Sequence, residues 1–178
     1  MYIYVPDVAA AQAQVEAAGG KKLTEPMSIG SGSIGHFADP AGTIYGLADI
    51  KQEIPYIPVP LGGNPAPPEN TLCCIELYGN DFAATARFFG ELFGWGTVET
   101  MPSYMAFDPG VSVGGTFQSH TPQTRVLAYI YVADVAGKLG ELEAAGGKRM
   151  AEPMSMEGFG TFGYFTDPSG TAVGLMGP

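Results

Sequence analysis

Glu76 is the carboxylate of the stretch Cys73-Cys74-Ile75-Glu76-Leu77-Tyr78, two residues from Cys74 on one side and two from Tyr78 on the other. In a strand that spacing puts Cys74, Glu76 and Tyr78 on one face. Tyr129 and Tyr131 form a second pair at the same spacing, and Met176 ends the run Ala172-Val173-Gly174-Leu175-Met176. A carboxylate among phenols and a thioether can act as a general acid or base. It can equally receive an aromatic body with a polar or cationic handle. A third possibility is structural, in which Glu76 only bonds Tyr129 or Tyr131 and side chains fill the space.

Other reactive residue types carry less. His36 precedes an Asp39-Pro40 turn and His120 lies in a polar loop, so both read as packed or solvated residues. The two cysteines are neighbours, and a bridge between neighbours is strained, so they read as reduced thiols of a buried strand. Gly30-Ser31-Gly32-Ser33-Ile34-Gly35 and Gly158-Phe159-Gly160-Thr161-Phe162-Gly163 match a dinucleotide fingerprint in letters. That chemistry needs a helix N-terminus after the glycines, whereas both copies run into a strand. No spaced cysteine pairs occur.

With a formal net charge of −10, the chain repels polyanions, so neither nucleic acid nor an anionic membrane is an expected partner. Hydrophobic residues make up 46% and charged ones 15%, the balance of a globular chain with a sizeable core. No apolar run is long enough to span a bilayer, and Met1-Tyr2-Ile3-Tyr4 lacks the features of a signal peptide. The expectation is a cytoplasmic protein.

The elements that must position these residues come as a repeat. Tyr129-Ile130-Tyr131-Val132-Ala133-Asp134-Val135 echoes Tyr2-Ile3-Tyr4-Val5-Pro6-Asp7-Val8 at an offset of 127. After one inserted residue the echo continues at 128, matching Asp167-Pro168-Ser169-Gly170-Thr171 to Asp39-Pro40-Ala41-Gly42-Thr43. Such a period means duplicated supersecondary modules. In each, an alternating strand leads to an Asp N-cap, an Ala-rich helix and a Gly-Gly stop, then short strands and a last apolar run. The module reads βαβββ, at 1–50 and again at 123–178.

The six prolines within 51–70 mark a linker. Residues 71–122 repeat the architecture in diverged sequence, with a strand at Leu72 to Tyr78 and a helix capped by Asp81. Phe82, Ala86, Phe89 and Phe93 form its apolar stripe before Gly94. Short strands are expected at Tyr104–Phe107 and Val111–Val113. The fold class is α+β: paired βαβββ modules curving an eight-stranded sheet into a cup, plus one unpaired module.

Asp81, Phe88-Phe89 and Leu92-Phe93-Gly94-Trp95, followed by Val132-Ala133-Asp134-Val135, Ala144-Ala145-Gly146-Gly147 and Asp167-Pro168-Ser169-Gly170, resemble the vicinal oxygen chelate superfamily. That group includes glyoxalases, bleomycin-resistance proteins and extradiol dioxygenases, and the sub-pattern is closest to tandem two-domain actinobacterial glyoxalase-like proteins. The resemblance implies that residues 71–178 form a complete domain whose cup holds a ligand or metal. Its metal-ligand positions fall here on Cys74, Leu127, Gly174 and the stretch Val113 to Thr116, where hard divalent ions find too few donors.

The expected protein therefore has no metal, no cofactor and no assigned catalytic residue. Cys74, Glu76, Tyr78, Tyr129, Tyr131 and Met176 are expected to line a small-molecule site. The alternatives are a metal-independent enzyme using Glu76 or a tyrosine, and a structural protein with a collapsed cup. A homodimer is expected from the unpaired first module; the alternative is a missing half-domain upstream of Met1, and on either reading this chain is expected to self-associate.

Overall fold

The computed structural model describes residues 1–50, 69–79, 81–110, 113–118 and 126–178. The first module contains β1 (Tyr2–Tyr4), α1 (Val8–Ala17), β2 (Lys21–Lys22), β3 (Met27–Ser28), β4 (Ser33–Ala38) and β5 (Ile44–Ala48). The second contains β6 (Leu72–Tyr78), α2 (Phe82–Phe93), β7 (Gly96–Met101), β8 (Tyr104–Asp108) and β9 (Gly115–Gln118). The third contains β10 (Val126–Tyr131), α3 (Val135–Ala144), β11 (Lys148–Met156), β12 (Gly160–Thr166) and β13 (Ala172–Gly177).

Each helix starts where an aspartate can satisfy its first free amides. Asp7 accepts from the Ala10 amide at 3.0 Å, Asp81 from Ala84 at 2.9 Å and Asp134 from Gly137 at 2.9 Å. Helix α2 stops at Gly94, whose φ of 69° is the left-handed conformation that glycine adopts without penalty.

Modules two and three share one eight-stranded sheet, ordered β11-β12-β13-β10-β6-β9-β8-β7. Their seam is the antiparallel pairing of β10 with β6, with a bulge between Tyr129 and Ile130. Module one forms a separate sheet ordered β1-β5-β4-β2, with β3 also on β4. The repeat survives in the register: β1 runs parallel to β5 with Tyr2 opposite Gly46, and β10 runs parallel to β13 with Tyr129 opposite Gly174. β2 and β3 together take the place of the long β11. Proline has no amide to give the ladder, so pairing lapses around Pro26, and β11 passes Pro153 with a register shift between Ala151 and Met154.

One aromatic core joins the two sheets. Phe37 of β4 and Tyr45 of β5 meet α2, with ring centroids 6.3 Å from Phe88 and 5.2 Å from Phe89 respectively. Phe89 continues to Trp95 at 4.9 Å, Trp95 to Phe107 at 4.8 Å and Phe107 to Phe117 at 4.7 Å. Helix α2 is thus packed between both sheets. Helix α3 covers only its own half of the large sheet, over Val132, Phe165 and Leu175.

Some expectations need correction. The last strand of module two is Gly115–Gln118, two residues beyond Val113, and a further strand, Gly96–Met101, precedes β8. Gly115 begins β9 because a Cβ there would collide with the Ile75 carbonyl, so tertiary contact sets this strand's place more than local propensity does. Val111, Ser112 and His120 lie outside the described residues, as does 51–68 of the expected linker. The linker's last two residues are held against module three: the Asn70 amide donates to the Tyr131 carbonyl at 2.8 Å, and Glu69 accepts from the Ala133 amide at 2.9 Å. Among the described residues no helix is long and apolar enough to cross a membrane.

Candidate functional site

Strand alternation divides β6 between two environments. Ile75 and Leu77 pack into the helix-side core, while Cys74 and Tyr78 belong to a cluster on the other, concave face. The same cluster receives Leu127, Tyr129 and Tyr131 from β10, Phe162 and Tyr164 from β12, and Ala172 and Met176 from β13. The structure therefore brings the six residues singled out in the sequence to one face of the sheet. Two tyrosines that sequence reasoning missed, Tyr164 and Tyr104, complete the surroundings of Glu76.

Glu76 is the hub. Its Oε2 accepts hydrogen bonds from the Tyr78 hydroxyl and, at 2.7 Å, from the Tyr129 hydroxyl. The hydroxyls of Tyr129 and Tyr164 lie 3.2 Å apart. Tyr129 has one hydroxyl proton, and with that proton directed at Glu76, Tyr164 is the donor of the second contact. Among the described residues no lysine or arginine forms an ion pair with Glu76. The carboxylate is half-buried, and phenols rather than a cation satisfy it.

Burial first, and the nearby Glu76 charge second, push the Tyr78, Tyr104 and Tyr129 phenols above their ordinary range. Burial also raises Tyr164. These phenols are neutral donors at physiological pH. Desolvation, followed by Glu76 and Cys73, pushes the Cys74 thiol up to about 12, and desolvation pushes Cys73 up to about 11. Both cysteines are free, and Cys73 directs its thiol to the Tyr129 carbonyl.

The positions that resemblance assigns to metal ligands surround Tyr129. Cys74 and Gly174 are its cross-strand partners on either side, and Leu127 lies on the same face of β10. Gly174 has no side chain to offer, and a Cβ there would overlap the Tyr129 ring. Leu127 is apolar, Cys74 offers a single soft thiol, and the Thr116 hydroxyl takes a hydrogen bond from the Gln118 side-chain amide at 3.1 Å. This donor set does not fit a divalent ion, which needs several oxygen or nitrogen ligands around one point. Among the described residues no group of three His, Cys, Asp or Glu side chains converges.

Module one repeats the arrangement with different groups. Tyr2 covers Gly46 as Tyr129 covers Gly174. His36, which the offset of 128 equates with Tyr164, contacts the Tyr2 hydroxyl at 3.0 Å and the Thr24 hydroxyl at 3.3 Å. On the helix side of β6 a cavity of about 740 Å3 opens between modules one and two, with Ile75 in its wall.

The model of the Glyoxalase/Bleomycin resistance protein/Dioxygenase superfamily matches residues 72–175, more than half of the chain. A mycobacterial protein, "Putative glyoxylase CFP32" of Mycobacterium tuberculosis and Mycobacterium bovis, is 26% identical over 186 residues, covering 99% of this chain and 68% of that one. Among solved structures, the Mn(II)-bound glyoxalase from Novosphingobium aromaticivorans superposes with a TM-score of 0.70 at 17% identity. The 2,3-dioxygenase LapB from Pseudomonas sp. KL28 gives 0.65 at 17%. Each similarity covers 99% of this chain, which spans 61% of the first structure and 70% of the second. At these identities the likeness is one of fold.

Proposed function

Since the chain belongs to the glyoxalase/bleomycin resistance protein/dioxygenase superfamily, we propose that its eight-stranded cup binds a small organic molecule without a metal. The ligand class is an aromatic body with a cationic or hydrogen-bond-donating handle. The observation that carries this reading is Glu76, a half-buried carboxylate held by Tyr78 and Tyr129 and, among the described residues, matched by no protein cation. Aromatic faces around an anion attract a cation by quadrupole and charge together. Met176 and Phe162 on the same face supply apolar surface for the body. The raised phenols favour binding over base catalysis, because a tyrosine that holds its proton can donate but cannot abstract.

The test pairs benzamidine and phenethylammonium with the neutral benzamide and phenethyl alcohol, on the wild type and on Glu76→Gln, by thermal shift and calorimetry. A ligand at a hundred times its dissociation constant stabilises the native state by about 2.7 kcal/mol, a readable shift. Glu76→Gln should weaken the cationic probes at least tenfold and leave the neutral ones unchanged. Equal weakening of both, or no shift with any probe, would remove the proposal and leave the cup a packed structural face.

A further inference from the structure

Both phenol bonds to Glu76 land on Oε2, so its Oε1 accepts from no donor among the described residues. A second acceptor stands near it. Gln118, at the end of β9, is 1% exposed, and among the described residues its Oε1 has no hydrogen-bond partner. Buried carbonyl oxygens are nearly always paired, so one left over calls for a reason.

The register of β9 places that oxygen beside the carboxylate. Phe117 lies opposite Leu77 and both belong to the helix-side core, so the alternate residues Thr116 and Gln118 share the concave face with Glu76 and Tyr78. Thr116 is the direct cross-strand neighbour of Glu76, and Gln118 that of Tyr78. The Gln118 Nε2 donates to the Thr116 hydroxyl at 3.1 Å, which draws the carboxamide back along β9 toward the level of Glu76. With Nε2 so engaged, Oε1 is the end of the amide left to accept. Tyr78 does not supply the donor, because its one hydroxyl proton goes to Glu76.

Resting on the reading of the cup as a cation site, we propose that Glu76 and Gln118 form a pair of acceptors on adjacent strands. Gln118 makes the site selective for a planar handle with two N–H donors, an amidinium or guanidinium on an aromatic body. The carboxylate takes the charge and one N–H, and the carboxamide oxygen takes the other. A quaternary ammonium satisfies the charge alone and leaves the buried oxygen unpaired. A site built to hydrogen-bond its ligand discriminates against an analogue that lacks the donor.

Benzamidine and benzyltrimethylammonium carry the same unit charge beside a phenyl ring, and only the first has N–H groups. Calorimetry of both probes on the wild type, Gln118→Met and Glu76→Gln separates the two acceptors. Gln118→Met keeps the length of the side chain and removes both amide atoms. It should weaken benzamidine at least tenfold and leave benzyltrimethylammonium unchanged. The melting temperature of the unliganded chain should not fall, because the unpaired oxygen is lost together with its amide. Glu76→Gln should weaken both cations. Equal weakening of the two probes by Gln118→Met, or none, would overturn the acceptor pair, and the cation site would still stand if Glu76→Gln weakens both. A lower melting temperature for Gln118→Met without selective loss of benzamidine would make Gln118 a structural residue and overturn the proposal. A wild type that binds neither probe would remove this inference together with the reading it rests on.

Discussion

The ring of Tyr129 lies across the face of Gly174 on the neighbouring strand, so close that the position tolerates only a hydrogen atom. Tyr2 and Gly46 repeat the relationship in module one. Gly174→Ala should therefore act as overpacking of a closed contact, costing about 1–3 kcal/mol. Gly140→Ala is the control: Gly140 is an exposed helical residue of α3 with open space around it. That change should stabilise by about 0.4–1 kcal/mol. Urea denaturation of both variants distinguishes the contact from a general effect of added methyl groups.

The phenol network sets an alkaline limit on stability. Tyr78 and Tyr129 have folded-state values raised above the unfolded value of about 10, burial being the first cause. Below pH 10 both states keep these protons and the difference contributes fully. Above it the unfolded chain ionises first, binds fewer protons than the native state, and stability falls as pH rises. Titration at 295 nm of the chain's nine tyrosines should show the buried set ionising only with unfolding. A native-state titration in which all nine ionise together would contradict the network.

Tyr129→Phe keeps the ring over Gly174 and removes one of the two phenol donors to Glu76. Hydrogen bonds to a charged group are worth about 1.5–3 kcal/mol, and the variant should lose that order of stability. Tyr164→Phe removes the donor of a longer contact at the edge of the network and should cost less. The two denaturation midpoints, measured side by side, check the ranking.

Cys73 and Cys74 should be inert in the native protein. Burial raises their thiols to about 11 and about 12, so little thiolate exists at pH 8, and the thiolate is the reacting species. Labelling with a chromogenic disulfide should be slow and should go to completion at two thiols once urea unfolds the chain. Rapid native labelling of either cysteine would refute the raised thiols.

Much of this fold was legible from the chain. The offset of 127 to 128 identified equivalent strands, and Asp7, Asp81 and Asp134 marked three helix starts by their capping chemistry. Strand parity placed Glu76 and Ile75 on opposite faces because the side-chain period of a strand is two. Gly115–Gln118 was not legible, since its position follows from close backbone approach to Ile75 and not from an apolar run. Tyr164 escaped notice although two signals pointed to it: its alternation with Phe162 on β12, and its offset of 128 from His36. The packing of Phe37 and Tyr45 on α2 had no local signal, because a buried stripe does not name its partner.

The run of rings from Tyr45 through Phe89 and Trp95 to Phe117 leaves no plane along which the chain divides into an appendage and a domain. The duplication has accordingly become irreversible in one respect: where module one presents Tyr45 to α2, module three carries Val173 at the offset of 128, and the copies can no longer trade places. Heat should melt the first fifty residues and the eight-stranded sheet in a single cooperative event.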